Sequence, residues 1–193
     1  MPDYHLLADE DFCELISLSS NLLASLYLYE PADTYAQFTL RAWKNGDARQ
    51  IVSTWPFAPA DEARKSFETI LRGLNQGTAT SAIVDEFDRL FRTTAPLVPT
   101  SMGISDELGT WMERNGISPM EVDAPVDHVG VMLYLLGWLA KDAPEMVPAF
   151  MADYLMPHCI EFFDNVVAAS VHPLYIGTAE LGKATLIGLS SEF

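Results

Sequence analysis

Asp127 and His128 are the adjacent pair whose side chains invite chemistry. A carboxylate beside an imidazole can carry charge, accept hydrogen bonds and exchange protons. The pair opens DHVGVMLYLLGWLA, the most apolar helical stretch of the chain, just after Pro125. As a helix N-cap Asp127 would contribute roughly 0.5–2 kcal/mol, with His128 in the first turn. A helix N-terminus disfavours protonated histidine, so His128 is biased toward the neutral form. Set where a connector meets a buried helix, the two side chains beside an apolar groove suit an arginine-bearing, partly hydrophobic peptide. The alternative is acid–base work in a hydrolase or nucleotide-dependent enzyme. No GxSxG elbow, P-loop, GxGxxG or HExxH accompanies the pair.

A metal site is not expected. On a helix the neighbours His158 and Cys159 diverge by roughly 100°, which keeps them from sharing an ion. Cys13 lies on the apolar face of Phe12 and Ile16, where a thiol acts as a small hydrophobe. No cofactor is expected either.

Charge narrows the partner class further. The 193 residues hold 27 Asp and Glu against 11 Lys and Arg, a formal charge of −16. Such a field repels phosphates, so nucleic acid and anionic membrane surfaces are improbable partners, whereas a cationic peptide is attracted. The charge is uneven: residues 1–40 hold seven acids and no Lys or Arg, and from Asn115 to Gly182 nine acids meet only Lys141. Solvated acidic faces and a docking surface for a basic segment are the two readings of that pattern.

The chain carries 4 Trp, 7 Tyr and 10 Phe, which excludes disorder, and its length suits one domain. The two cysteines make no disulfide framework. The start lacks a basic region followed by an apolar run, so no secretory signal is expected. Val129 to Ala140, twelve residues, is the longest stretch free of both charged and strongly polar groups, against the ~20 a membrane span needs. A soluble, cytoplasmic protein is the expectation.

The elements that must position the pair are all helical. Phe12, Leu15, Ile16, Ser19, Leu22, Leu23, Leu26 and Tyr27 give the i, i+3, i+4, i+7 stripe of a helix buried on one face. Further helices are predicted from Asp33 to Trp43, Asp61 to Leu74, across Ile83, Val84, Phe87, Leu90 and Phe91, and from Asp106 to Arg114. A short piece surrounds Ile51 and Val52. Thr93 to Ser105 reads as a loop, and Ile117 to Val126 as a connector and possible hinge. The helix from Asp127 is apolar nearly all round and should be central. Pro144 opens the next helix, and Pro157 must kink or break it, because an interior proline costs ~3 kcal/mol. Val171 to Leu189 is the last helix. The fold class is all-α, a single-domain bundle of about 8–10 helices.

Ala124-Pro125-Val126-Asp127-His128-Val129-Gly130 resembles the E-P-x-D-H-x-G signature of the TorD/DmsD/NarJ family of redox-enzyme maturation chaperones, most closely its DmsD-like members. Glu86 to Phe91 is similar to the family's Y-x-x-L-F element, Tyr154 to His158 to its H-L-x-P-W segment, and His172 to Tyr175 to the start of its last helix. The resemblance runs from about Leu15 to Leu186. It implies a TorD-like fold, no catalysis, and binding of the twin-arginine signal peptide of a molybdenum reductase subunit. The peptide would be held in the cytoplasm until the apo-subunit receives its cofactor. It implies a monomer or a domain-swapped dimer. Carried over, the peptide-binding residues are Asp127, His128 and Pro125 from the signature, Leu90 and Phe91 from the L-F element, Trp55 from a tryptophan–aliphatic patch, and Pro99. The signature's leading Glu is Ala124 here. The family's aromatic P-P-[YW]-x-S-V-[YW] loop is replaced by Pro99-Thr100-Ser101-Met102-Gly103-Ile104-Ser105.

Overall fold

The computed structural model describes residues 6–46, 53–75 and 77–193, and every structural statement concerns these. The expected piece around Ile51 and Val52 lies outside them. The fold is all-α. α1 spans Glu10–Leu28, α2 Thr34–Asn45, α3 Ala60–Leu74, α4 Ser81–Phe87, α5 Ser105–Arg114 and α6 Val129–Asp142. α7, Val147–Phe150, runs through a π turn, Met151–Leu155, into α8, Met156–Ala169, and α9 is Pro173–Ser190. A second π turn, Asp88–Arg92, extends α4. Among the described residues the one β-type contact is an isolated antiparallel bridge between Ser101 and His128.

Local chemistry explains the boundaries. Asp9 and Asp33 cap α1 and α2 by accepting from backbone N–H groups of the first turns, the arrangement that satisfies donors left free at a helix start. α5 stops at Asn115-Gly116, with Gly116 at φ +70°, a left-handed conformation glycine adopts without penalty. Of the kink or break expected at Pro157, the break is absent: the chain stays helical, and the irregularity takes the form of a π turn just before the proline, at Met151–Leu155. The wider turn relaxes the spacing a proline ring would otherwise violate, so the chain stays helical through it.

One continuous apolar core gathers α1, α6, α8 and α9 around Ile16, Leu23, Leu133, Leu136, Phe163 and Leu181, all fully buried or nearly so. α6 is central, as its all-round apolarity requires. Its approach to α1 is close because Gly130 and Gly137 present no side chain. A Cβ at Gly130 would stand 2.8 Å from Leu28 Cβ and 3.2 Å from the Ala24 carbonyl oxygen. α1 is less one-sided than its stripe suggests: Leu15 and Leu18 are exposed and Leu22 is half-buried.

This packing gives a direct test. Gly130→Ala should lower stability by about 1–3 kcal/mol through overpacking against α1 backbone. Gly109→Ala, on α5 with no heavy atom within 4 Å of the new Cβ, should raise it by about 0.5–1 kcal/mol. Thermal unfolding followed by circular dichroism measures both, and equal shifts would refute the α1–α6 account.

Candidate functional site

The chain before α6 is folded back on itself. The amides of Met102 and Val129 donate to the carbonyls of Asp127 and Thr100, at 3.1 and 2.8 Å, zipping the 99–105 loop onto the entrance of the helix. Asp127 sits inside this fold and is 0% exposed. Its carboxylate accepts from Ser105 Oγ at 2.5 Å, Ser101 Oγ at 2.8 Å and the Ile104 amide at 2.9 Å. Burial alone would raise its pKa. The hydrogen bonds from Ser105, Ser101 and the amides of Ile104 and Gly103 outweigh that and hold the carboxyl ionised, below its ordinary range.

His128, not Asp127, caps α6. Its Nδ1 accepts from the Gly130 amide at 3.1 Å, so Nδ1 is unprotonated and the neutral ring carries its proton on Nε2. Burial lowers its pKa to about 4, against the opposing pull of the Asp127 charge. His172 caps α9 in the same way, accepting from the Leu174 amide at 3.2 Å. His128 is thus neutral, as its place at a helix start led one to expect, but the cap expected of Asp127 belongs to its neighbour.

The expectation that Asp127 and His128 rim an open slot is overturned. His128 is only 9% exposed, Asp127's oxygens are taken by its own chain, and neither residue lines the two apolar grooves that flank α1. The reason is the 101–105 loop: the Ser101 and Ser105 hydroxyls and the Ile104 amide fill the carboxylate and hold the loop over it.

The other carried-over residues divide. Pro99 and Pro125 are exposed beside the same zipped loop, and the His128 amide donates to the Pro125 carbonyl at 3.0 Å. Leu90 reaches it through its carbonyl, which accepts from the Val98 amide at 3.0 Å, but its side chain is buried. Phe91 is buried against Tyr27, Phe87 and Phe162. Trp55 belongs to a different neighbourhood, packed edge-on against Trp43 and Phe67 with its indole N–H donating to Thr185 Oγ1 at 2.9 Å. The residues expected to share one site therefore occupy two regions, and five of the seven, Asp127, His128, Leu90, Phe91 and Trp55, are buried.

A second buried carboxylate went unnoticed in the sequence because it reads as part of an ordinary charged helix. Glu86 of α4 accepts from Arg89 Nε at 2.7 Å, Ser170 Oγ at 2.7 Å and the amides of Val171 and His172 at 2.7 and 3.2 Å. Burial opposes its ionisation, but these donors bring its pKa down to about 2. It pins the α8–α9 turn to α4.

Open apolar surface lies on both sides of α1. One groove, about 350 Å³, runs between α1 and α2 past Leu15, Leu18, Phe38, Trp43 and Trp55. The other, about 400 Å³, lies between α1, α5 and α6, with Met120, Tyr134, Leu135 and Trp138 along it. Its exposed Trp138 and Met120 leave water-facing apolar area of the kind that marks interaction surfaces. Where α1 ends, Tyr29 stacks on Tyr35 of α2 at 4.9 Å and meets Tyr134 edge-on at 6.5 Å. Among the described residues no group of three or more His, Cys, Asp or Glu could hold a metal ion. No described helix is long and apolar enough to cross a membrane.

The chain is similar to proteins named Tat proofreading chaperone DmsD. It is 35% identical over 81 residues to that of Salmonella typhimurium and 33% identical over 81 residues to that of Salmonella typhi. Each match covers 41% of this chain and 40% of the relative, so the chain spans well under half the length of these two relatives. A probable Tat proofreading chaperone DmsD of Haemophilus influenzae is 22% identical over 186 residues, covering 89% of this chain and 88% of the relative. No family model matches.

Two outcomes follow from the buried pair. Asp127→Ala strands Ser101, Ser105 and the Ile104 amide and should lower stability by about 2–4 kcal/mol, read as the midpoint of urea unfolding. Neutral His128 contributes stability that is fully present above pH 6.5. That contribution is lost as the pH falls toward 4, because the unfolded chain binds the proton first, a difference of about 3 kcal/mol. His128→Asn keeps a side chain able to cap but cannot titrate. Its stability should therefore fall less between pH 6.5 and 4 than that of the wild type, and parallel curves would remove His128 from the acid response.

Proposed function

We propose that this protein is a cytoplasmic maturation chaperone that binds the twin-arginine signal peptide of a molybdenum-containing reductase subunit and holds it until cofactor loading, before export. The observation that carries the reading is the likeness to chaperones named for Tat proofreading, which at low identity extends over 89% of the chain. A formal charge of −16 and two open apolar grooves support it. A twin-arginine leader is basic at one end and apolar in the middle, the complement of such a surface.

The energetics are adequate. Charge-assisted hydrogen bonds to arginine contribute about 1.5–3 kcal/mol each, and each buried Leu-sized side chain about 1.5–3 kcal/mol. A few of each, less the association entropy, reach the ~8 kcal/mol of a micromolar complex. The acid–base enzyme reading gains no support from the geometry. Asp127's oxygens and His128 Nδ1 are already engaged within the chain, and both residues are buried.

Calorimetric titration with a synthetic twin-arginine leader peptide tests the proposal. Micromolar affinity is expected at low salt, with a clear loss at high salt as the charges are screened. Absence of binding at low salt would reject it.

A further inference from the structure

We infer that the exposed face of Tyr35 and the carboxylate of Asp33 form the seat of an arginine side chain, and that the apolar residues beyond it lie along the groove of Tyr134 and Trp138. The inference rests on the peptide-binding reading above and deepens it. It gives the arginine contact to a surface other than Asp127 and His128, which the fold has closed.

The geometry is that of a guanidinium platform. Tyr35 is 62% exposed. One side of its ring stacks on Tyr29, and the ring is otherwise turned to water. A planar cation stacks on such a face, and arginine does so more readily than lysine. Asp33 Oδ1 accepts from the Tyr35 amide at 2.9 Å, which ties the carboxylate to the backbone of the residue that carries the ring. Its second oxygen can accept an N–H of a guanidinium in a charge-assisted hydrogen bond. Among the described residues Asp33 has no ion-pair partner, whereas nearby Glu30 is paired with Arg92. That internal pair shows the same chemistry at work, since the Arg92 guanidinium also lies 5.5 Å from the centre of the Phe87 ring.

The platform is built rather than incidental. Gln37 holds the 29–33 turn in place, donating to the Pro31 carbonyl and to that of Thr78 and accepting from Thr78 Oγ1 at 2.8 Å. Little order would have to be imposed on binding. Charge and shape then continue in one direction. Tyr134, which meets Tyr29 edge-on, also lines the α1–α5–α6 groove, so the aromatic end and the apolar trough share a wall. Burial, then the neighbouring tyrosines and the Asp33 charge, push the Tyr134 hydroxyl up to about 12, so it stays a neutral donor beside the groove. At the far end the lining carries one charge of each sign, Lys141 and Asp142. The groove on the other side of α1 is lined by none of Tyr29, Tyr35 and Tyr134, so it does not continue from the tyrosine platform.

Fluorescence anisotropy of a labelled twin-arginine leader peptide, with circular dichroism as the check on folding, decides the matter. Tyr35→Leu should weaken binding by about fivefold or more, and Tyr35→Phe, which keeps the ring face, by less than about twofold. Asp33→Asn, which can still cap α2, should weaken binding, and replacing the peptide's arginines by lysines should cancel most of the Tyr35 effect. Trp138→Ala should weaken binding and Phe38→Ala should not. If the wild type binds and Tyr35→Leu and Asp33→Asn bind equally well, the seat is refuted while the chaperone reading stands. If Phe38→Ala is the damaging change instead, the assignment of the apolar groove is overturned. If the wild type binds no leader peptide, the chaperone reading fails and this inference fails with it.

Discussion

A carboxylate with no access to water organises the entrance of the central helix. Asp127 remains ionised inside the protein because two serine hydroxyls and backbone amides of the 101–105 segment point at it. Such an arrangement is all or nothing. A buried charge is tolerated only when its lone pairs are satisfied, and breaking one partner exposes the cost of the rest. The loop, the first turn of α6 and the cap made by His128 are therefore one cooperative unit. Glu86 plays the equivalent part at the entrance of α9, joining α4 to the turn that His172 caps. Two long apolar helices thus each begin at a neutral histidine beside a buried carboxylate.

A side chain held by that many internal donors is poorly placed to bind a ligand, since every hydrogen bond offered to a peptide would have to be withdrawn from the protein's own loop. Binding chemistry is left to surfaces the fold keeps open. Those flank α1, where the close approach of α6 through Gly130 and Gly137 brings Tyr134 and Trp138 to the surface beside the tyrosines of the α1–α2 turn. The same small residues that tighten the core therefore set the position of the exposed aromatic trough.

The similarity to chaperones named for Tat proofreading and the physical character of the surface are independent lines that meet. One is a matter of shared sequence. The other is net negative charge and exposed apolar area, physical features of this chain itself.

Sequence alone determined the helices, because apolar spacing, Asp9 and Asp33 caps and the Asn115-Gly116 stop act over a few residues. It also singled out the neighbourhood of Asp127 and His128 and the neutral state of that histidine. Three things were decided only in three dimensions. Whether Asp127 faces water depended on hydroxyls at positions 101 and 105, more than twenty residues away in the chain. Whether Pro157 breaks a helix depended on a π turn that no spacing rule announces. The meeting of Tyr29, Tyr35 and Tyr134 depended on the packing of α1 against α6. Local preference is written along the chain, whereas burial and proximity exist only once distant segments have packed.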